Sequence, residues 1–230
     1  MRRCIVRGRL PACRMKPGVS PRRQRGMSLL EVAITLTVGA LMTVAGFDWA
    51  SSARTGGASV AAQASADAAR EALASFARTN HRLPCPDLAG TGLEGDCADA
   101  TVRVGWLPVV TLGMSDRNLA TDLLKRPRYA VYRGTGADLV HPANALAVTT
   151  AQALSFSLAA AASAAYDNAQ PIVARSSGDC AAASANVAFV VHVPVDPGRW
   201  APSQATSCFV SSQPTASETA AELLAEVTRS

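Results

Sequence analysis

Aromatic residues are scarce in this 230-residue chain, at 5% of positions, and there are only three histidines. His81, His141 and His192 are scattered, and nothing marks any cysteine as an activated nucleophile beside one of them. There is no catalytic triad, no phosphate-binding loop and no closely spaced C-x-x-C pair of the kind zinc requires. Acids such as Asp116, Asp122 and Asp138 read as solvated surface rather than catalytic pairs. An enzymatic role is therefore not expected, and neither is a cofactor. Acidic residues are missing altogether up to Gly26, where nine Lys or Arg residues occur. The formal net charge of +5 is thus a local N-terminal feature, since the remainder carries thirteen basic against seventeen acidic residues, a net of −4. That distribution argues against a nucleic-acid-binding body, which would need a basic face on the folded domain.

Proline is absent between Pro21 and Pro84, and an apolar run fills the start of that interval. Leu29 to Trp49 carries only Glu31 near its start and Asp48 near its end. As a helix, these residues would span roughly 32 Å, enough to cross a bilayer core. The basic cluster ahead of the run favours a cytoplasmic N-terminus, with residues beyond about Asp48 outside the cytoplasm. An ordinary signal peptide fits less well. Its apolar core is shorter and is followed by small residues at the cleavage site, whereas here Gly26 precedes the run.

A carboxylate inside such a run needs a reason, because near the bilayer centre it costs about 2.5–3.5 kcal/mol. Cleavage after Gly26 would make Met27 a new N-terminus whose amine is largely protonated at neutral pH. Glu31 would then be the fifth residue, placed to pair with a neighbouring subunit's amine in low dielectric and so to set register.

The segment "RGMSLLEVAITL" resembles the prepilin signature of type IV pilins and type II secretion pseudopilins. The basic leader is Arg22 to Arg25, the glycine before the cut is Gly26, and the fifth-position glutamate is Glu31. The resemblance implies cutting between Gly26 and Met27 by a prepilin peptidase, and methylation of the new amine. It also implies assembly with other pilin or pseudopilin subunits on an inner-membrane platform. Met27 stands where the family often has phenylalanine. Met15 offers an alternative start with a shorter leader.

Four cysteines follow the leader: Cys85, Cys97, Cys180 and Cys208. An even number in an exported domain suggests two disulfides. Of the three pairings possible, Cys85–Cys97 with Cys180–Cys208 is favoured because both close short loops. The helix is expected to continue through residues 56–80, with Gly56-Gly57 as a bend. Ala69, Ala72, Leu73 and Phe76 would form its apolar face. The segment after it, through Cys97, reads as a loop punctuated by Pro84, Pro86, Gly90, Gly92 and Gly95. Asp87, Glu94 and Asp96 in that loop are weak calcium candidates, since calcium loops space their oxygen ligands more closely. "VRVGWLPVVTL", "RPRYAVYRG" and "ANVAFVVHVPV" read as strands. "SDRNLATDLLK", capped by Ser115, "TTAQALSFSLAAAASAAYDNA" and "TASETAAELLAEVTRS" read as helices, the last capped near Thr215 or Ser217.

Within this body, "RLPCPD", "GWLPVVTLGM" and "RPRYAVY" are similar to the globular part of a group of minor pilins or pseudopilins. The expected fold is therefore α+β, a long N-terminal helix packed on a small antiparallel sheet with disulfide-pinned loops. The expected organisation is a cleaved leader (1–26), a membrane and assembly helix (27–55), the soluble half of that helix (56–80) and a periplasmic globular domain (81–230). The rival reading is an uncleaved single-pass inner-membrane protein with a periplasmic ligand-binding domain.

Overall fold

The computed structural model describes residues 29–114, 123–143, 147–174, 187–195, 208–210 and 214–229, apart from the side chains of residues 29–32, 35, 38–56 and 210. The chain forms two compact units, Met1–Trp49 and Ala50–Ser230. Helix α1 is Leu29–Asn80. In the first unit its described side chains, Ala33, Ile34, Leu36 and Thr37, are exposed, and the Thr37 hydroxyl donates back to the Ala33 carbonyl. Among the described residues no helix is long and apolar enough to cross a membrane. The run Leu29–Trp49 falls mostly on side chains outside them.

In the second unit α1 continues through Gly56 and Gly57 as uninterrupted helix. Its buried stripe is Ala66, Ala69, Leu73, Ala74 and Ala77, spaced as 3.6 residues per turn requires. This stripe is rotated from the expected one: Ala72 and Phe76 lie at its margin, and the Phe76 ring carries the Arg82 guanidinium 5.4 Å from its centroid. The helix ends where His81 turns left-handed, with φ 54°, and donates its N–H to the Ala77 carbonyl at 2.9 Å.

The body then runs β1 (Val104–Trp106), a 3-10 turn (Leu123–Lys125), β2 (Arg128–Val131), β3 (Arg133–Gly134), β4 (Ala137–Asp138) and α2 (Thr150–Ser163). After these come β5 (Ile172–Ala174), β6 (Val187–His192), β7 (Cys208–Val210), β8 (Thr215–Thr219) and α3 (Ala220–Val227). The main sheet is antiparallel throughout, in the order β1-β2-β6-β8. Strands β3 and β4 form a hairpin, and β5 pairs with β7 in parallel. The architecture is α+β.

All six residues of β6 are buried, because both faces of the sheet are covered. Tyr129, Val131, Phe189 and Val191 face a core shared with Leu73 of α1, Leu154 and Leu158 of α2, and Leu223 of α3. The alternate residues Ala130 and Val190 pack with Phe209 of β7 on the other face. Sequence alternation with period 2 is what sends neighbours to opposite cores.

Two expected elements differ. The strand read in "VRVGWLPVVTL" stops at Trp106, since the chain turns at Leu107-Pro108 and Val109 donates to the Leu107 carbonyl at 2.9 Å. The C-terminal helix begins only at Ala220, because "TASET" pairs with β6 as an edge strand. Its cap is Thr219, neither Thr215 nor Ser217. The Thr219 side chain and Glu222 form a reciprocal capping box. Ser115 and the start of the helix expected there lie outside the described residues, and Leu123–Lys125 at its end is a 3-10 turn.

Candidate functional site

The segments "RLPCPD", "GWLP" and "RYAV" converge at one corner of the sheet. Leaving α1, the chain enters a loop closed by the Cys85–Cys97 disulfide, whose Cα atoms are 5.9 Å apart. Asp87 is buried inside this loop. Its Oδ1 accepts N–H bonds from Ala89 at 3.0 Å and Gly90 at 2.7 Å, and its Oδ2 accepts from Gly92 at 2.6 Å. Its backbone exchanges hydrogen bonds with Trp106 of β1, at 2.9 and 3.0 Å. The buried Tyr129 hydroxyl donates to the Pro84 carbonyl at 3.1 Å, and burial raises its pKa well above the ordinary value. Gly105 is required here: a Cβ would come within 2.7 Å of the Asp87 carbonyl oxygen and 2.9 Å of the Pro86 Cβ.

Two ion pairs finish the corner. Arg82 grips Glu94 with both terminal nitrogens, Nη2 lying 2.9 Å from Oε2, while the Cys85 N–H donates to Glu94 Oε1 at 2.7 Å. Burial opposes charge on Glu94, but these hydrogen bonds and the Arg82 charge outweigh it and hold its carboxyl below the usual range. Arg133 is buried on the far side of the loop. Its guanidinium donates to the carbonyls of Cys97 (3.0 Å), Asp99 (2.7 Å) and Val102 (3.2 Å), and to Asp138 at 2.7 Å. Gln170 clasps the Arg133 backbone, accepting its N–H at 3.0 Å and donating to its carbonyl at 3.2 Å. One side chain thus ties the disulfide loop to the β3–β4 hairpin. Asp138 is engaged in this network rather than solvated, which corrects the sequence expectation. Burial works against its charge, yet the bonds from Arg133, Val140 and His141 keep its pKa lowered.

The calcium candidates find local partners instead. Asp87 and Glu94 are bound as above, and Asp96 Oδ1 accepts the Ala98 N–H at 2.9 Å. Among the described residues no group of three or more His, Cys, Asp or Glu is arranged to hold a metal ion. Cys208 is also disulfide-bonded, while Cys180, its expected partner, lies outside the described residues. Gly26, Met27, Asp116 and Asp122 lie outside them too, as does the side chain of Glu31.

A second cluster escaped the sequence reading. At the junction of α1, β8 and α3, Gln63 exchanges hydrogen bonds with the Thr215 backbone, both at 3.2 Å. Next to it, Glu218 has a side chain only 3% exposed, and Arg70 Nη1 stands 3.8 Å from its Oε2. Neither Glu218 oxygen has a hydrogen-bond partner. Its pKa is raised to about 7, first by burial and then by Glu226, against the pull of Arg70 and with further push from Glu222 and Glu71. The signal available in sequence was the T-A-S-E-T alternation, which places Ala216 and Glu218 on the inward face of a strand.

These observations define an α+β domain whose loops are fixed by a disulfide and partly buried ion pairs, following a long N-terminal helix. Comparison with protein families places the prokaryotic N-terminal methylation motif at residues 21–47, the signature of type IV pilins and pseudopilins. The motif implies processing by prepilin peptidase and assembly with other pilin subunits. Neither the curated proteins nor the solved structures gave a match to the chain.

Proposed function

We propose that this chain is a minor pilin or pseudopilin, a structural subunit of a type IV pilus or a type II secretion filament. The observation that carries the reading is the methylation motif spanning residues 21–47, with Gly26, Met27 and Glu31 in the required order. In this account the chain is inserted in the inner membrane with its N-terminus cytoplasmic and its body periplasmic. Prepilin peptidase cuts between Gly26 and Met27 and methylates the new amine. The apolar segment Leu29–Phe47 then packs among neighbouring helices, and Glu31 pairs with a neighbour's amine, each compensating the other's charge in low dielectric.

The body supports this role through its rigidity. Its loops are fixed by Cys85–Cys97, Asp87, Glu94 and Arg133, and a pre-organised surface loses little entropy on docking. The proposed role is structural, and in the corner the carboxylates hold backbone and guanidinium groups in place. Glu31→Ala tests the pairing. The variant should insert in the membrane at the wild-type level and fail to enter filaments, measured by cell fractionation and by shearing of filaments. Normal incorporation would remove the pairing from the account.

A further inference from the structure

Helix α1 meets the edge strand β8 through two polar contacts. Gln63 exchanges hydrogen bonds with the Thr215 backbone, and Arg70 faces Glu218 as an ion pair at 3.8 Å. The spacings match. Seven residues of helix advance about 10.5 Å and three residues of strand about 10 Å, so both contacts lie along one seam. The Gln63 contact carries no charge. The Glu218 contact does, and its carboxylate is 3% exposed with neither oxygen hydrogen-bonded. An ion pair without hydrogen bonds repays little of the desolvation it costs. The charged groups around Glu218 come from two elements. Helix α1 brings Arg70 and Glu71; α3 and the residues after it bring Glu222, Glu226 and Arg229. Strand β6 places uncharged Phe189 opposite Glu218, next to a register shift, and α2 carries no charged residue. Ionised Glu218 is therefore a poorly compensated charge shut inside the seam. The elements that can carry it to water are β8, which is paired on one side only, and the short α3 that follows it.

We propose that the α1–β8 seam is a proton-operated latch. With Glu218 protonated, β8 and α3 lie closed against α1. With Glu218 ionised, they open locally and the carboxylate reaches water. The latch thus sets how firmly the long helix is held to the sheet edge. The inference rests on this geometry and is independent of leader cleavage.

The sign follows from the two states. In the open state Glu218 has the ordinary pKa of 4.5, and in the closed state burial raises it to about 7. Between pH 5 and pH 7 the open form ionises first, so the opening equilibrium rises about fortyfold and levels off above about pH 8. The test is native-state hydrogen exchange of the intact chain in detergent from pH 5 to pH 8, corrected for the intrinsic rate. Amides of β8 and α3 should exchange through an opening that low urea does not promote, about fortyfold more often at pH 7 than at pH 5. Amides of β2 should exchange only through urea-sensitive unfolding. Glu218→Gln should hold the β8 opening constant across the range. Arg70→Met removes the facing cation, and should match the wild type at pH 5 and open more at pH 8. Amides of β8 as protected and as urea-sensitive as those of β2, an opening indifferent to pH, or the same pH dependence in Glu218→Gln would each overturn the proposal.

Discussion

Replacing Glu218 by glutamine should make the protein more stable, and by an amount that depends on pH. The glutamate is 3% exposed, lacks hydrogen bonds and has its pKa raised from 4.5 to about 7. A raised carboxyl pKa means that the fold prefers the protonated form. Below about pH 4.5 both folded and unfolded chains are protonated, and the group costs nothing. Between 4.5 and about 7 the unfolded chain ionises first, so stability falls as pH rises, and above 7 the full penalty is present. That shift corresponds to roughly 3 kcal/mol. Glutamine keeps the shape and never ionises. Its advantage over the wild type should be near zero at pH 4.5 and roughly 3 kcal/mol at pH 8, or about 6–12 °C in Tm for a domain of this size. Thermal unfolding of both proteins across this range, followed by circular dichroism, measures the difference. His192, whose burial lowers its pKa to about 4, is common to both proteins and cancels. A gain that is independent of pH, or a loss at pH 8, would refute the reasoning.

Three further outcomes follow from the disulfide corner. Asp87→Asn turns one of the carboxylate's acceptor positions into an N–H donor among the Ala89, Gly90 and Gly92 amides, and should cost about 2 kcal/mol in urea unfolding. Arg133→Met leaves Asp138 without its cation and three loop carbonyls without a donor, and should cost about 3–5 kcal/mol by the same assay. Gly105→Ala drives a methyl against the Asp87 carbonyl, an overpacking cost of about 1–3 kcal/mol, with amide exchange speeding up at Trp106 and Asp87.

What the sequence revealed and what it concealed divide along physical lines. The buried strand in "ANVAFVVHVPV" and the Ala-rich helix α2 were legible because apolar pattern and burial coincide there. On α1, Ala69 and Leu73 are buried as the periodicity predicts, but alanine fits face and margin alike: Ala66, Ala74 and Ala77 complete the stripe, while Ala72 and Phe76 lie at its margin. "TASET" looks helical in sequence because its neighbours are strong helix formers. The capping box at Thr219 and Glu222 marks the true start, and pairing with β6 decides the rest. Arg133 was invisible because its partners are mainly carbonyls of a distant loop, which carry no side-chain signature. Asp138 looks like a surface acid because nothing in the sequence shows that the Arg133 guanidinium and the Val140 and His141 amides turn onto it. The N-terminal motif was legible because its chemistry depends on local order alone: basic leader, glycine, then a glutamate in the apolar run.

The central claim is that this chain is a cleaved filament subunit. The most direct test is the intact mass and N-terminal peptide of the protein purified from its own membranes. The account predicts a chain beginning at Met27 and carrying one added methyl group on its amine. A mature protein that still contains Arg22 to Gly26 would contradict it and favour an uncleaved, membrane-anchored binding protein.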